Sequence, residues 1–207
     1  MAYIIGIDIG GTHADGVLLE NERVVARQKV PADQDNLVNS VIILLGRLLE
    51  GEMVSLTRVQ LSTTLCTNAI VRNVVDPVAM FIQAGPGMNP EFLNCGEHVH
   101  FVDGVIDHRG HILRKPDINS VRSAADRFAR DGIVSAGIVT KFSHRNHLHE
   151  QQIADAVAGR FEYSSLGHRI SGLPNFPRRV YTTLLNSALK RPFSHFKTAV
   201  ETGLAEL

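Results

Sequence analysis

Short apolar runs alternate with glycine-containing breaks at the start of this chain. Residues 3–9 form one apolar run, Gly10-Gly11-Thr12 interrupts it, and apolar residues return at 15–19 and again at 23–30. Runs of this length between turn residues are typical of β-strands. The chain is therefore predicted to open with an antiparallel meander of three strands.

Beyond residue 36 many apolar positions follow a helical period instead. The predicted helices cover residues 36–50 (ended by Gly51), 66–72, 117–131, 146–159 and 177–204 (kinked at Pro192). Apolar runs at 59–62, 78–82 and 133–140 predict further strands, and alternation over 98–113 predicts a small β-meander. This order of elements predicts an α/β protein with a mixed sheet.

One loop interrupts the predicted fold. Residues 84–90 read Ala-Gly-Pro-Gly-Met-Asn-Pro, a composition that excludes regular helix or strand. We therefore predict one domain built from residues 1–83 and 117–207, into which residues 84–116 insert a loop and a β-meander.

Composition narrows the class of partner. The chain has 21 Lys and Arg against 21 Asp and Glu, so it lacks the basic excess with which proteins bind nucleic acid or anionic membranes. Two cysteines, Cys66 and Cys95, are too few for a disulfide framework or a four-cysteine zinc site. No run approaches the roughly 18 apolar residues of a membrane span, and the first residues lack a basic leader. We expect a cytoplasmic protein with no nucleic-acid or membrane partner.

The strongest chemical signal follows the first predicted strand. Asp8-Ile9-Gly10-Gly11-Thr12-His13 places two glycines where successive backbone N–H groups can converge on an anion such as phosphate. Thr12 adds a hydroxyl donor, and Asp8 supplies a carboxylate that can hold Mg²⁺ through water. A plain glycine-rich hairpin with Asp8 as a turn residue is the alternative interpretation.

Four stretches then occur in an order that one known family shares. They are Gly6–Leu19; Ser62–Val71, which contains Thr-Thr-x-x-Thr-Asn-Ala; Asp107-His108-Arg109-Gly110 with Leu113 and Pro116-Asp117; and His149-Glu150 followed by Pro177-Arg178-Arg179 and Thr182–Asn186. In these stretches the chain resembles the N-terminal region of the hydantoinase/5-oxoprolinase family, within the actin-like ATPase and sugar-kinase superfamily.

The resemblance implies a fold and an activity. The fold would be ribonuclease H-like: a mixed sheet that opens with a three-stranded antiparallel meander, flanked by helices, with a small inserted β-meander and a long C-terminal helix. The activity would be the ATP-dependent hydrolysis of a cyclic amide, such as a hydantoin or 5-oxoproline, through phosphorylation of the amide oxygen.

The resemblance also assigns residues. Asp8 would be the catalytic residue and hold Mg²⁺ through water. The ATP phosphates would be bound by Gly10, Gly11, Thr12 and His13. The transferred phosphate or the substrate would face Thr63, Thr64, Thr67 and Asn68. For Thr67 and Asn68, capping of the next helix is the competing interpretation, and for His13 it is a solvent-facing strand position.

This chain departs from the family's pattern in two places and covers only part of it. The pattern Asn-Ala-x-x-Glu would put a carboxylate at position 72, where Arg72 stands, and the loop at 85–90 lacks the commoner Arg-Gly-Phe. Asp-x-Gly-Gly-Thr occurs once, whereas the superfamily clamps ATP between two domains. We therefore expect one half of a clamp, inactive alone, that needs a second ATPase domain or subunit and exposes an apolar surface through which it can form a homo-oligomer.

Two other functions stay open from the sequence: a sugar-type kinase of the same superfamily, and a non-catalytic nucleotide-binding module. A metal cluster is a further candidate. It would use His98, His100, His108 and His111 with Asp103 and Asp107. Their spacing matches no zinc pattern, and alternate residues of a strand face opposite sides, so the sequence does not favour this cluster.

Overall fold

The computed structural model describes residues 2–33, 37–49, 55–93 and 95–205. Its strands are β1 (Tyr3–Ile9), β2 (His13–Glu20), β3 (Arg23–Pro31), β4 (Leu56–Thr63), β5 (Val78–Gln83), β6 (Val99–Phe101), β7 (Val105–Ile106), β8 (Ile112–Arg114), β9 (Ser135–Thr140) and β10 (Tyr163–Leu166). Its helices are α1 (Leu37–Leu49), α2 (Leu65–Val71), α3 (Ile118–Arg130), α4 (Leu148–Val157), α5 (Gly167–Ile170), α6 (Phe176–Ala188) and α7 (Lys190–Ala205).

The chain divides into two compact units. The first contains Met1–Val74 and Pro192–Leu207, and the second contains Val75–Arg191. The predicted insert at 84–116 lies wholly within the second unit, so the units divide the chain at other positions than the predicted domain does. In the described part of the chain, no helix combines the length and the apolar character that crossing a membrane requires.

The first unit is a sheet in the order β3-β2-β1-β4. β1 pairs antiparallel with β2 and parallel with β4. Ile5, Ile7 and Ile9 alternate into the core, where they join apolar residues of α1 and α7 such as Leu44 and Val200. Alternation of this kind buries one face of the strand, so the polar residue Asp8 lies on the opposite face.

A glycine lets α1 lie close to this sheet. A Cβ built at Gly16 on β2 would come within 2.6 Å of the Leu48 side chain and 3.1 Å of Leu44. Real Cβ atoms do not approach other heavy atoms so closely. The two leucines of α1 therefore occupy the space that a side chain at position 16 would need. Close packing of this kind fixes the height of the helix over β1 and β2.

The second unit is built on a parallel sheet in the order β10-β9-β5-β6, with β7 and β8 forming a separate antiparallel pair. All six residues of β5 and all six of β9 are buried, as expected for strands covered on both faces. One face packs against α3 and α4 through residues such as Phe81 and Phe128. The other packs against α6 through residues such as Met80 and Val180.

These elements confirm the predicted fold class. The described chain is a mixed α/β protein that opens with three antiparallel strands. Asp117 begins α3 as expected, since its side chain accepts hydrogen bonds from the backbone N–H groups of Asn119 and Ser120. Gly51 and the outer ends of the helix predicted at 36–50 lie outside the described residues.

Two details of the prediction are wrong. The stretch 98–113 is not a meander, because β6 joins β5 in parallel and only β7 and β8 pair antiparallel. The long C-terminal helix is two helices that break at Leu189, three residues before Pro192. Pro192 lies in the first turn of α7, where a missing N–H costs nothing, so it begins a helix instead of kinking one.

The sequence reading also missed β10 and α5. The strand reads Tyr-Ser-Ser-Leu, which has no apolar run, yet Ser165 and Leu166 are buried beside β9. Its position in the sheet comes from pairing with β9 along four residues. Such a short polar strand is specified by its neighbours and not by its own pattern.

Removing a core side chain of α1 tests this description of the first unit. Leu44 is fully buried, so Leu44→Ala is expected to lower the free energy of unfolding by about 2–5 kcal/mol through lost burial and a residual cavity. Denaturant unfolding measures the change. Ile43, which is 40% exposed on the same helix, is the matched control, and an equal loss in Ile43→Ala would contradict the packing described here.

Candidate functional site

Two turns that are far apart in sequence meet at one edge of the first sheet. β1 and β4 run parallel, with Asp8 opposite Ser62 and Ile9 opposite Thr63. The carboxyl ends of the two strands therefore lie side by side. The glycine hairpin follows β1, and α2 follows β4. The two segments predicted to form the site therefore lie next to each other at this edge of the sheet.

A side-chain hydrogen bond joins these two strand ends. The Thr63 hydroxyl donates to the carbonyl of Ile9 at 2.8 Å and accepts from the N–H of Leu65 at 3.1 Å. Both hydrogen-bonding directions of this hydroxyl are used, so Thr63 positions the hairpin relative to α2. Substrate contact, predicted for Thr63 from the sequence, stays a prediction.

The hairpin between β1 and β2 is closed by its own backbone. The N–H of Gly10 donates to the carbonyl of His13 at 2.9 Å, and the carbonyl of Thr12 accepts from Ala32 at 2.9 Å. Within the described residues, the N–H groups of Gly11 and Thr12 have no hydrogen-bond acceptor. Two adjacent unpaired donors at a turn are a place where an oxyanion can bind.

Neither backbone conformation nor lack of space requires glycine at Gly10 and Gly11. Neither residue has a positive φ. A Cβ built on Gly11 would lie 3.5 Å from Asn68 Nδ2 and 3.8 Å from Arg72 Nη2, which are ordinary contacts. The open space in front of Gly11 would therefore admit a methyl group and is bordered by two nitrogen donors from the α2 segment.

The structure excludes one of the two interpretations of Thr67 and Asn68, and the predicted contact with phosphate or substrate stays a prediction. The helix begins at Leu65 with Thr64 at the capping position, so Thr67 and Asn68 lie inside it and the capping role considered for them is wrong. Asn68 donates from Nδ2 to Thr64 Oγ1 at 3.2 Å. It also lies against Gly11, whereas no hydrogen bond connects the exposed Thr67 to the hairpin in the described structure.

Asp8 is exposed on the open face of the sheet. Asp15 lies directly opposite it on β2 and is also exposed. Lys29 on β3 pairs with Asp15 at 2.9 Å, whereas Asp8 has no cationic partner among the described residues. Two facing carboxylates with one ammonium group leave an uncompensated negative charge at Asp8.

His13 begins β2 on this same exposed side. Its Nδ1 lies 3.1 Å from the Thr12 hydroxyl. The ring is therefore next to the hairpin, but its hydrogen bond is to a neighbouring side chain. A contact between His13 and a bound phosphate stays a prediction.

The histidine-rich stretch of the second unit is dispersed. His98 packs on Phe128, His100 lies 3.2 Å from the Ser120 hydroxyl, and His111 pairs with Asp107 at 3.2 Å. Backbone N–H groups of His111 and Arg109 donate to Asp107 and hold the pKa of its carboxyl below the ordinary value. Across the described ranges, no three His, Cys, Asp or Glu side chains group in a way that could hold a metal ion.

A buried polar network at the carboxyl ends of β5 and β9 was not predicted. Glu150, fully buried, accepts from the N–H of Thr140 and from the N–H and ring of His168. Arg179, also fully buried, donates to the carbonyls of Thr140 and Leu173. These bonds hold the backbone that follows β9, at the point where the strand order turns back between β5 and β9.

Burial controls the ionisation of this network. Desolvation lowers the pKa of His149, which donates from Nδ1 to Gln83 at 2.9 Å and whose Nε2 has no partner in the described structure. Desolvation and the adjacent Arg179 lower the pKa of His144, whose Nδ1 accepts from that guanidinium at 3.1 Å. Both imidazoles are therefore neutral in the folded protein near neutral pH. Their burial was not predicted from the sequence, because a polar residue at a helix start carries no mark of burial.

Neither cysteine has the environment of a reactive thiol. Burial raises the pKa of Cys66, and it raises the pKa of Cys95 to about 11. A thiol becomes nucleophilic when its pKa falls. These residues therefore act as small apolar side chains, and Cys95 belongs to the second core.

Comparisons with known proteins address the family and the fold. A family model described as hydantoinase/oxoprolinase N-terminal region matches residues 4–160. A search of curated proteins found no match. Among solved structures, a nucleotide-free acetone carboxylase from a study of ATP-dependent acetone carboxylation superimposes with a TM-score of 0.82 at 16% identity, over 98% of this chain and 34% of that one. An ATP-dependent caprolactamase from Pseudomonas jessenii gives a TM-score of 0.75 at 19% identity, over 97% of this chain and 34% of that one. The chain thus spans about a third of each of these proteins.

Acid is expected to destabilise the second unit through His149. Its pKa is lowered in the folded state, so below the ordinary value of 6.5 the unfolded chain binds more protons and the free energy of unfolding falls as the pH falls. His149→Gln is expected to remove up to about 1.4 kcal/mol per pH unit of that dependence. Denaturant unfolding at a series of pH values from 8 to 5 measures it.

The exposed His108 is the control for this experiment. His108→Gln is expected to leave the slope of stability against pH as in the unmodified chain. If His149→Gln kept the same slope, the histidine would not be held neutral by burial. His144→Gln offers a second, half-exposed variant should the first prove too unstable to measure.

Proposed function

Since this chain belongs to the hydantoinase/oxoprolinase family, as its N-terminal region, we propose that it supplies one phosphate-binding half of an ATP-dependent enzyme that opens cyclic amides. The observation that carries the proposal is the hairpin after β1. Its free N–H groups at Gly11 and Thr12 adjoin an open space bounded by Asn68 and Arg72. A cluster of donors without acceptors suits a phosphate group.

The chemistry explains why such an enzyme would need a phosphate site. The carbonyl carbon of an unstrained amide is a poor electrophile. Transfer of the terminal phosphoryl group of ATP to the amide oxygen releases ADP and makes that oxygen a good leaving group. Water then adds to the carbon and the C–N bond breaks with a proton transferred to nitrogen, which opens the ring and leaves an acyl phosphate. A second water hydrolyses this acyl phosphate to the carboxylic acid and inorganic phosphate. Phosphoryl transfer depends mainly on positioning and on neutralising charge, which is what the hairpin offers.

The residues present fit a magnesium ion at Asp8. Its exposed carboxylate has no cationic partner in the described structure. Mg²⁺ commonly binds to one or two carboxylates, keeping water and phosphate oxygens as its other ligands. Asp8 would hold it through water, where it would neutralise phosphate charge.

Fold similarity adds support of a limited kind. The acetone carboxylase and the caprolactamase are described as ATP-dependent, and both contain a region that superimposes on this chain. Two thirds of each of those proteins have no counterpart here. We propose that the adenosine pocket and the second phosphate hairpin are supplied by such a region, on a further domain or subunit, and that this chain is inactive without it.

Substituting Asp8 tests the proposed role in turnover. Asp8→Asn keeps the size of the side chain and removes its charge at an exposed position, so the fold is expected to be unchanged. Ring opening of hydantoin or 5-oxoproline, assayed with this chain and the complementary half, is expected to fall by at least about 100-fold. Circular dichroism and released phosphate report the two properties separately.

Asp15→Asn is the matched control, because Asp15 lies opposite Asp8 on the same face and is already neutralised by Lys29. It is expected to retain most of the activity. Full activity in Asp8→Asn would remove Asp8 from the mechanism. Phosphorylation of a sugar by the assembled protein, without amide hydrolysis, would replace the proposed reaction by that of a kinase.

A methyl group at Gly11 tests whether phosphate binds in the hairpin. In Gly11→Ala the new Cβ makes only ordinary contacts with Asn68 and Arg72, at 3.5 and 3.8 Å, so folding is expected to be preserved. The methyl would fill the space next to the free N–H groups. Affinity for the ATP analogue AMP-PNP, measured by calorimetry with Mg²⁺, is expected to fall by about tenfold or more, as for a lost charge-assisted hydrogen bond.

Gly46→Ala makes the same substitution in α1, where nothing lies within 4 Å of the new Cβ. It is expected to bind the analogue as the unmodified chain does. Equal affinities in the two glycine variants would show that the nucleotide does not use this hairpin.

A further inference from the structure

Arg72 lies near the hairpin at a position that neither the family's pattern nor the predicted site explains. It follows α2 directly, one helical turn after Asn68, so both side chains project from the same side of that segment. The Nη2 atom of Arg72 lies 3.8 Å from the Cβ position of Gly11, and Asn68 Nδ2 lies 3.5 Å from it. The α2 segment thus presents an amide and a guanidinium to the glycine turn.

The guanidinium is free to bind a ligand. Arg72 is exposed and forms no ion pair or side-chain hydrogen bond in the described part of the chain. Around the same open space, the N–H groups of Gly11 and Thr12 are also without acceptors. Arginine has five N–H donors and no acceptor, so Arg72 adds only donors to those of the hairpin backbone.

Such a set selects for an oxyanion. A guanidinium forms paired, charge-assisted hydrogen bonds with phosphate or carboxylate oxygens, and these are the stronger hydrogen bonds in proteins. A carboxylate at position 72, which the family's pattern would place there, would repel the same group. Replacing a negative by a positive side chain at position 72 therefore favours an oxyanion at this hairpin.

We propose that Arg72 is a binding residue of this hairpin, in which its guanidinium contacts an oxyanion held by the N–H groups of Gly11 and Thr12. The proposal rests on the proposed function and takes the anion to be the terminal phosphate of the nucleotide. The carboxylate of a substrate such as 5-oxoproline shares the same chemistry and is distinguished by the test below.

A consequence concerns magnesium. The Arg72 guanidinium would neutralise part of the phosphate charge in this hairpin. Phosphate binding would therefore depend less on Mg²⁺ than in a hairpin where the ion held by Asp8 were the only positive charge. Removing the guanidinium is therefore expected to weaken binding most where magnesium is absent. A purely structural role of Arg72, as a cation at the carboxyl end of α2, predicts a change in stability and none in this dependence.

The experiment compares Arg72→Ala, Arg72→Lys and Arg58→Ala in the whole chain. Arg58 is an exposed arginine on β4 at the opposite end of the strand, paired in register with Ile4. The isotope-labelled chain is titrated with AMP-PNP, inorganic phosphate, 5-oxoproline and the uncharged hydantoin, each with and without Mg²⁺. Affinities come from the amide shifts of Gly10, Gly11 and Thr12, and thermal unfolding is recorded for each variant.

The expected result is that Arg72→Ala binds AMP-PNP and inorganic phosphate about tenfold or more weakly without Mg²⁺, and shows a smaller loss with it. Arg72→Lys keeps a point charge and recovers part of the affinity, while Arg58→Ala matches the unmodified chain. A loss confined to 5-oxoproline would assign the guanidinium to a substrate carboxylate and overturn its assignment to phosphate.

Two negative results have different meanings. If the unmodified chain binds AMP-PNP at the hairpin and Arg72→Ala binds it equally well at every magnesium concentration, Arg72 has no part in binding and the proposed function stands. If no anion shifts the amides of Gly10, Gly11 and Thr12 in the unmodified chain, the hairpin is not a phosphate site, and both proposals fail together.

Discussion

The parallel pairing of β1 with β4 is the constraint on which the candidate site depends. It brings the ends of two strands that are 54 residues apart into register, and the hydrogen bond from the Thr63 hydroxyl to the Ile9 carbonyl fixes them there at 2.8 Å. Without that register the glycine turn and α2 would be two unrelated loops. With it, the side chains of Asn68 and Arg72 lie next to Gly11 in the glycine turn.

One face of β1 packs in the apolar core, which leaves its other face available for polar side chains. Ile5, Ile7 and Ile9 supply the core beneath α1, which leaves Asp8 on the exposed face at the end of the strand. Gly16 lets α1 pack down to the sheet, whereas the space in front of Gly11 would admit a methyl group. Close packing thus requires glycine at position 16 and not at position 11. Because successive side chains of a strand point to opposite faces, the core-facing residues of β1 contribute to stability and the exposed ones are available for binding.

The sequence pattern predicted those elements of the fold that residues close together in the chain specify. The three opening strands, the cap at Asp117 and the glycine hairpin are visible in the sequence, because each is specified by residues within a few positions. Arg72 was noted only as a departure from a family pattern, since its distance from Gly11 depends on strand register. The burial of Glu150 and Arg179 was not predicted, because burial through carbonyl and imidazole partners leaves no periodic trace. The break at Leu189 was missed for a different reason: a proline at the start of a helix and a proline within one look alike in sequence.

The small number of hydrogen-bond donors at the hairpin also supports the proposal that a second domain or subunit completes the site. One guanidinium and two backbone N–H groups suit a single phosphate group, whereas a nucleoside triphosphate presents three in a row together with a sugar and a base. The exposed face of the described sheet around Asp8 carries the polar side chains of His13 and Asp15, whereas ligand sites in proteins are normally lined mostly by apolar side chains and enclosed on most sides. The similar region makes up 34% of the acetone carboxylase and 34% of the caprolactamase. Under the proposed function, a complementary part would supply the contacts that this hairpin lacks, so the assembled site would bind nucleotide more tightly than this chain alone.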